Sequence, residues 1–219
     1  MKKQTIDRYI VEIKQHQQKK LTDSVMVEVE RVNRSLLKTE ELNRLGFYAR
    51  ELGSLIEAGK LERVKHGYYR LADEEGESSE AKTVLQLYPD GIVCMSTALF
   101  HYGYSHRTPL AWDLAVDRNT SKARFNLDYP YVKPYYMEKA HMQYGVTTAD
   151  FETYPLRIFD RDRLICECIK HENKMDKELY NGAIISYIND SQKNIGALLD
   201  YAKERNIHKK VRDRIGVWL

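Results

Sequence analysis

The 219-residue sequence lacks most of what would mark a secreted, membrane-borne or low-complexity chain. It has three cysteines, an odd number and too small for a disulfide framework, so cross-links are not what holds the fold. Its longest apolar runs, such as GIVCM at 91–95, are far too short to cross a bilayer. The opening MKKQTIDRYIVEIK has no continuous apolar core of the kind a signal peptide needs. A reducing cytoplasm is therefore the expected compartment. With eleven glycines, five prolines and no internal repeat or low-complexity tract, the composition is that of an ordinary globular protein.

Catalytic signatures are equally scarce. Metal-assisted nucleotidyl transfer needs two carboxylates on one strand face, normally two residues apart. After Asp113 that second position is Ala115, and Asp117 follows only in an expected turn. Cys166, Cys168 and His171 are close, yet a helix sends residues two apart to different faces, and no second pair with zinc spacing follows. Ser96, His101 and Asp113 are triad residue types without a nucleophile elbow. Glu12-Ile13-Lys14 matches a nuclease fragment only by chance, on an amphipathic helix. His101, His106 and the tyrosines around them read as a packed aromatic patch. The chain is expected to be non-enzymatic, with no catalytic residue, cofactor or metal.

What is present is patterned charge. The net charge is +3, unevenly spread. Residues 1–72 hold fifteen Lys and Arg against ten Asp and Glu, and the next eight, DEEGESSE, hold five acids and no base. Residues 81–219 hold twenty bases and seventeen acids. Rich in Ser, Gly and Glu with no apolar anchor, 73–80 reads as an acidic linker. The expected organisation is an N-terminal helical extension over 1–21, a DNA-binding domain over 22–72, the linker, and a larger domain over 81–219.

In the first domain, Val25, Val29, Val32 and Leu36 recur at helical spacing after Thr22-Asp23-Ser24. KTEELNRLG predicts a second helix with Thr39 as N-cap, Leu42 and Leu45 buried, and Gly46 closing it. YARELGSLIEAG predicts a third, with Ala49, Leu52, Leu55 and Ile56 on one face and Gly59 ending it. KLERVKHGYYRL then predicts a hairpin around Gly67, with Leu61, Val64 and Tyr69 inward and Arg63, Lys65 and Arg70 wet. Helices followed by a basic hairpin are the order of a winged helix-turn-helix. In such a module the second helix of the pair enters the major groove and the hairpin lies along phosphates. The candidate DNA-contacting residues are Lys38, Thr39, Tyr48, Arg50, Ser54, Lys60, Arg63, Lys65, His66 and Arg70. Two carboxylates on the groove helix, Glu51 and Glu57, argue the other way, and winged helices also bind proteins. An interaction module for a protein or RNA partner is the second reading.

Residues 81–160 alternate helix and strand signals: helices at EAKTVLQLYPDG and TALFHYG, strands at LAWDLAVD and YPLRIF, strand and loop through ARFNLDYPYVKPYYM. From Asp160 onward the signals are helical. The fold class is α+β, with a winged helix-turn-helix joined to a larger α+β domain bearing a helical C-terminal layer. Sixteen tyrosines are many for this length, and DYPYVKPYYMEKAHMQYG mixes them with Lys133, Lys139 and His141. That mixture suits RNA stacking, a protein interface or plain structure.

The run LLKTEELNRLGFYARELGSLIEAGKLERVKHGYYRL resembles the N-terminal domain of the AbiEi antitoxin family through Thr39, Gly46, Leu55, Gly59, Leu61, Arg63, Gly67 and Tyr69. VCMSTALFHYGY is similar to a later family segment through Ser96, Ala98, Leu99 and Gly103. The stretch from LRIFDRDR resembles the family's helical region, with His171, Asn173 and Lys174 where an Arg-x-Asn-Lys element is usual and the arginine missing. The resemblance implies a type IV antitoxin of toxin–antitoxin or abortive-infection (phage defence) systems. Such a protein represses its own promoter by binding inverted repeats in double-stranded DNA. It also counters a nucleotidyltransferase toxin through its C-terminal domain, without a stable complex.

Overall fold

A computed structural model describes residues 36–71, 79–127 and 129–216. The helical extension expected over 1–21, the helix built on Val25, Val29 and Val32, and most of the acidic linker lie outside them. The chain divides into two compact units, Met1–Ser79 and Glu80–Leu219. Both mix helix and sheet, so the class is α+β with two sheets.

In the first unit a short strand β1 (Leu37–Lys38) leads into α1 (Thr39–Arg44) and α2 (Ala49–Glu57), then into β2 (Leu61–Lys65) and β3 (Tyr68–Leu71). The three strands form an antiparallel sheet in the order β1-β3-β2. The two helices end in the same way. Phe47 N–H donates to the Leu42 carbonyl (2.9 Å) and Gly46 N–H to Asn43 (3.0 Å); Lys60 N–H donates to Leu55 (2.9 Å) and Gly59 N–H to Ile56 (2.9 Å). This is the Schellman pattern, and it requires a left-handed residue, supplied by Gly46 at φ 90° and Gly59 at φ 65°. The pattern also brings the residue after the glycine onto the helix's last apolar position. Phe47 and Leu42 accordingly meet in the core with Leu37, Leu52, Leu55, Leu61 and Tyr69.

Three expectations are corrected here. Leu45 and Ile56 are exposed, at 39% and 38%, and Phe47 fills the place given to Leu45. Thr39 is the first helical residue rather than the N-cap: Lys38 is extended because it pairs with Tyr68 in the sheet, so the helix cannot begin sooner. Leu36 belongs to no helix and stands immediately before β1.

The second unit begins with α3 (Glu80–Leu87), so Glu80 starts a helix and does not close the acidic stretch. Then come β4 (Ile92–Val93), α4 (Met95–His101), β5 (Trp112–Asp117), β6 (Val132–Met137), β7 (Val146–Phe151) and β8 (Tyr154–Phe159). The mixed sheet runs β6-β5-β4-β8-β7, with β5/β6 and β4/β8 parallel and the other pairs antiparallel. After Asp160 follow α5 (Arg161–Lys170), α6 (Lys177–Asn189), α7 (Ile195–Glu204) and α8 (His208–Ile215). Helix α5 is the hub: residues 162–169 are all buried, and it packs on β8, α4, α6, α7 and α8.

That hub carries charge inside the protein. Glu167 accepts two bonds from Arg205 (2.6 and 3.0 Å) and lies 2.8 Å from Nη2 of Arg163, a side chain with no exposure. The Arg163 guanidinium rests over the rings of Tyr144 (4.3 Å) and Phe159 (4.8 Å), whose π faces stabilise the cation. Gly145 makes this possible, since a Cβ there would stand 2.6 Å from Arg163 Cβ. The tyrosines serve the same end of pinning helices: Tyr187 donates to Asp162 (2.6 Å), Tyr104 to Asp190 (2.5 Å) and Tyr201 to Asp160 (2.9 Å). Among the described residues no helix is long and apolar enough to cross a membrane.

Candidate nucleic-acid interface

Helix α2 and the β2–β3 hairpin carry the candidate contacts, and the local backbone explains how each is presented. Tyr48 is the N-cap of α2, 62% exposed, and Arg50 and Ser54 follow on the exposed side of the helix. The Ser54 hydroxyl donates to the Arg50 carbonyl (3.2 Å), the usual resting place of a mid-helix serine. Glu51 reaches back to accept the Tyr48 backbone N–H (3.1 Å), and in α1 Glu41 does the same for Lys38 (2.9 Å). Both carboxylates sit in the positive first turn of a helix, where an anion is stabilised. Glu51 is thus committed to its own helix end, and Glu57 lies at the opposite end of α2.

Tyr68 and Tyr69 follow a turn at His66–Gly67, with Gly67 at φ 82°. The turn is tied to the first helix: Thr39 N–H donates to the Gly67 carbonyl at 2.9 Å. Lys38 and Thr39 therefore stand beside the tip of the hairpin.

The basic residues of the hairpin do not share one face, contrary to the alternation expected. Directly paired residues point to the same side of a sheet. Arg63 pairs with Tyr69, and so leaves the sheet on the side of the core before running out to solvent. Glu62 pairs with Arg70 on the other side, and the two form a 2.5 Å ion pair. A register shift between Arg63 and Lys65 then sets Lys65 opposite Tyr68, on the side of Arg70. The inserted residue is Val64, which is why it is half-buried and not part of the core. Lys65 lies over the Tyr68 ring at 5.8 Å, and Arg63 donates to His66 Nδ1 at 2.7 Å. Lys60, half-buried, stands immediately before β2. Exposed Arg63 near the tip, with Lys65 beside it, makes a cationic end; Arg70 is compensated by Glu62.

In the second unit the groups that could suggest chemistry have structural partners. Asp113 is buried and accepts the Ser96 backbone N–H (2.8 Å) at the start of α4; burial raises its carboxyl above the ordinary range. Ala115 lies in the core and Asp117 caps the following turn through Asn119 N–H (2.9 Å). His101 meets the Phe151 ring at 4.6 Å, tilted by 32°. Cys166 and Cys168 are buried free thiols, and burial pushes Cys166 up to about 12. His171 lies 3.8 Å from Glu167, held below its usual range by burial. The tyrosine-rich stretch is dispersed: Lys133 lies over Tyr135 (5.3 Å), His141 meets Tyr144 (3.0 Å), and Tyr129 bonds to the Glu80 carboxylate.

Residues 25–72 match the model of a family described as "Transcriptional regulator, AbiEi antitoxin", the family that the sequence resembles. No curated protein matches the chain. Among solved structures, the RV2827C protein from Mycobacterium tuberculosis is similar with a TM-score of 0.64 at 12% identity, the match covering 84% of this chain and 71% of that one. At that identity the likeness is one of fold.

Proposed function

We propose that the protein is a DNA-binding transcriptional repressor of the antitoxin type, with its first unit acting as a winged helix on its own promoter. The observation that carries this reading is the joining of two short helices, each closed by a left-handed glycine, to a hairpin whose tip is cationic, within the segment that matches the regulator family. Tyr48, Arg50 and Ser54 at the exposed start of α2 would read base edges in the major groove. Lys38, Thr39, Lys60, Arg63, Lys65 and His66 would engage phosphates, and Arg70 would do so only by exchanging Glu62 for phosphate. Inverted repeats would place two such modules on one operator. The second unit, by the same reading, counters a nucleotidyltransferase toxin without a lasting complex.

A gel shift of the full chain on its own upstream DNA, repeated across salt concentrations, tests the first part. Retarded complexes that weaken steeply with salt are expected. Replacing both Arg63 and Lys65 with Ala should lower the slope of log K against log salt by about 2; an unchanged slope would remove the hairpin from the mechanism. For the second part, growth arrest by a neighbouring nucleotidyltransferase should be relieved by residues 80–219 alone.

A further inference from the structure

The DNA-binding reading leaves unused a cavity of about 340 Å³ in the second unit. Five aromatic rings line it: Phe100, Trp112, Tyr129, Tyr131 and Phe151. They do not stack into a closed layer. Trp112 and Phe151 are 5.5 Å apart at 56°, and Tyr129 and Tyr131 are 6.2 Å apart at 84°. Glu80 ties two sides of the cavity together, accepting the Trp112 indole N–H (2.6 Å) with one carboxylate oxygen and the Tyr129 hydroxyl with the other. A second carboxylate, Glu152, stands on the lining at the β7–β8 turn, held there at φ 58°.

The charge at this place has one sign. No Lys, Arg or His lines the cavity, and among the described residues neither Glu80 nor Glu152 is paired with a cation. Both donors bonded to Glu80 are neutral, so its full negative charge remains. Phe100, Tyr129 and Tyr131 are 44%, 57% and 61% exposed, an apolar surface held in water beside two anions. A phosphate or nucleic acid would be repelled. A neutral apolar ligand would strip water from two carboxylates and return nothing to them. A cation on an apolar stem meets both demands, because ring faces and carboxylates attract it together.

We propose that this cavity is a binding site for an organic cation, a guanidinium or alkylammonium group carried on an apolar stem. The group comes from a free amine or from a side chain in a peptide, and the test separates the two. The full chain has two tryptophans, and the indole N–H resonance of Trp112 reports the site. Agmatine and the capped peptide Gly-Arg-Gly are titrated separately, with N-butylurea as the neutral control and ionic strength fixed by sodium chloride. A saturable shift below about 1 mM with either cation supports the site, and which of the two responds names the source. Glu152→Gln, at an exposed turn, and Tyr131→Ala, at an exposed ring, should each weaken binding several-fold while the remaining spectrum is unchanged. The proposal is overturned if N-butylurea binds as well as the cations, if neither cation shifts the resonance, or if Glu152→Gln binds like the parent.

Discussion

Glu51 lies on the helix expected to enter the groove, yet its side chain is occupied with the backbone. It accepts the Tyr48 N–H at 3.1 Å, one of the four donors a helix start leaves unpaired. Glu51→Ala should therefore lower stability by about 1 kcal/mol, and Glu51→Gln should recover most of it, because an amide oxygen can accept the same bond. Thermal unfolding of the two variants by circular dichroism checks this; equal losses would mean that the bond contributes nothing. Phe47 tells a similar story about neighbours. Periodicity put Leu45 in the core because it lies three residues after Leu42, but the chain leaves the helix there and Phe47 folds back instead. The signal was in the sequence, since an apolar residue directly after a helix-ending glycine is the mark of a Schellman contact. Phe47→Ala should lose about 3–5 kcal/mol and Leu45→Ala under about 1 kcal/mol, read as denaturant midpoints.

The hairpin is an element whose existence could be read directly and whose faces could not. Gly67 between two basic, β-forming runs identified the turn, and the structure puts a left-handed glycine there. Strand alternation then assumed an unbroken ladder. A single inserted residue at Val64 transfers Lys65 to the face of Arg70, and pairing hands Arg70 to Glu62. Such cross-strand facts depend on register, which no local pattern states. They give a prediction that the sequence alone would not have made. Arg63→Ala should reduce the salt slope of DNA binding by about 1, while Arg70→Ala should leave it nearly unchanged, since its charge is already compensated by a carboxylate 2.5 Å away. Equal effects in the two gel-shift series would show that the Glu62–Arg70 pair opens on DNA. Elements with weak local signals were missed for related reasons. Strand β4 has two residues inside an apolar run, and β7 carries exposed threonines on the sheet edge, so both are strands because of their partners.

Across the whole molecule, the helical C-terminal layer was readable, because it is a property of a long stretch. The aromatic cavity was not, because its walls come from α3, α4, β5, β7 and the 129–131 segment, far apart in sequence. Nor was the buried charge of α5, which read only as one of the helical signals after Asp160. Burial alone would raise the Glu167 carboxyl, but Arg205 and Arg163 beside it outweigh burial and hold it below its ordinary value of 4.5. A carboxylate with a depressed folded value stabilises the protein fully above its unfolded value and loses that contribution as pH falls through the folded one. Asp113 and Asp162 have the opposite sign: raised by burial, they oppose folding at neutral pH and are relieved by acid. Below about pH 4.5, Glu167 is therefore among the groups whose protonation weakens the second unit. Glu167→Gln should cost about 3–5 kcal/mol at pH 7 by leaving two buried arginines uncompensated. It should also flatten the fall in stability below about pH 4.5, because the titrating group is gone. Urea unfolding across that range decides the matter: a variant that loses stability with the same acid slope as the parent would show that Glu167 does not set it.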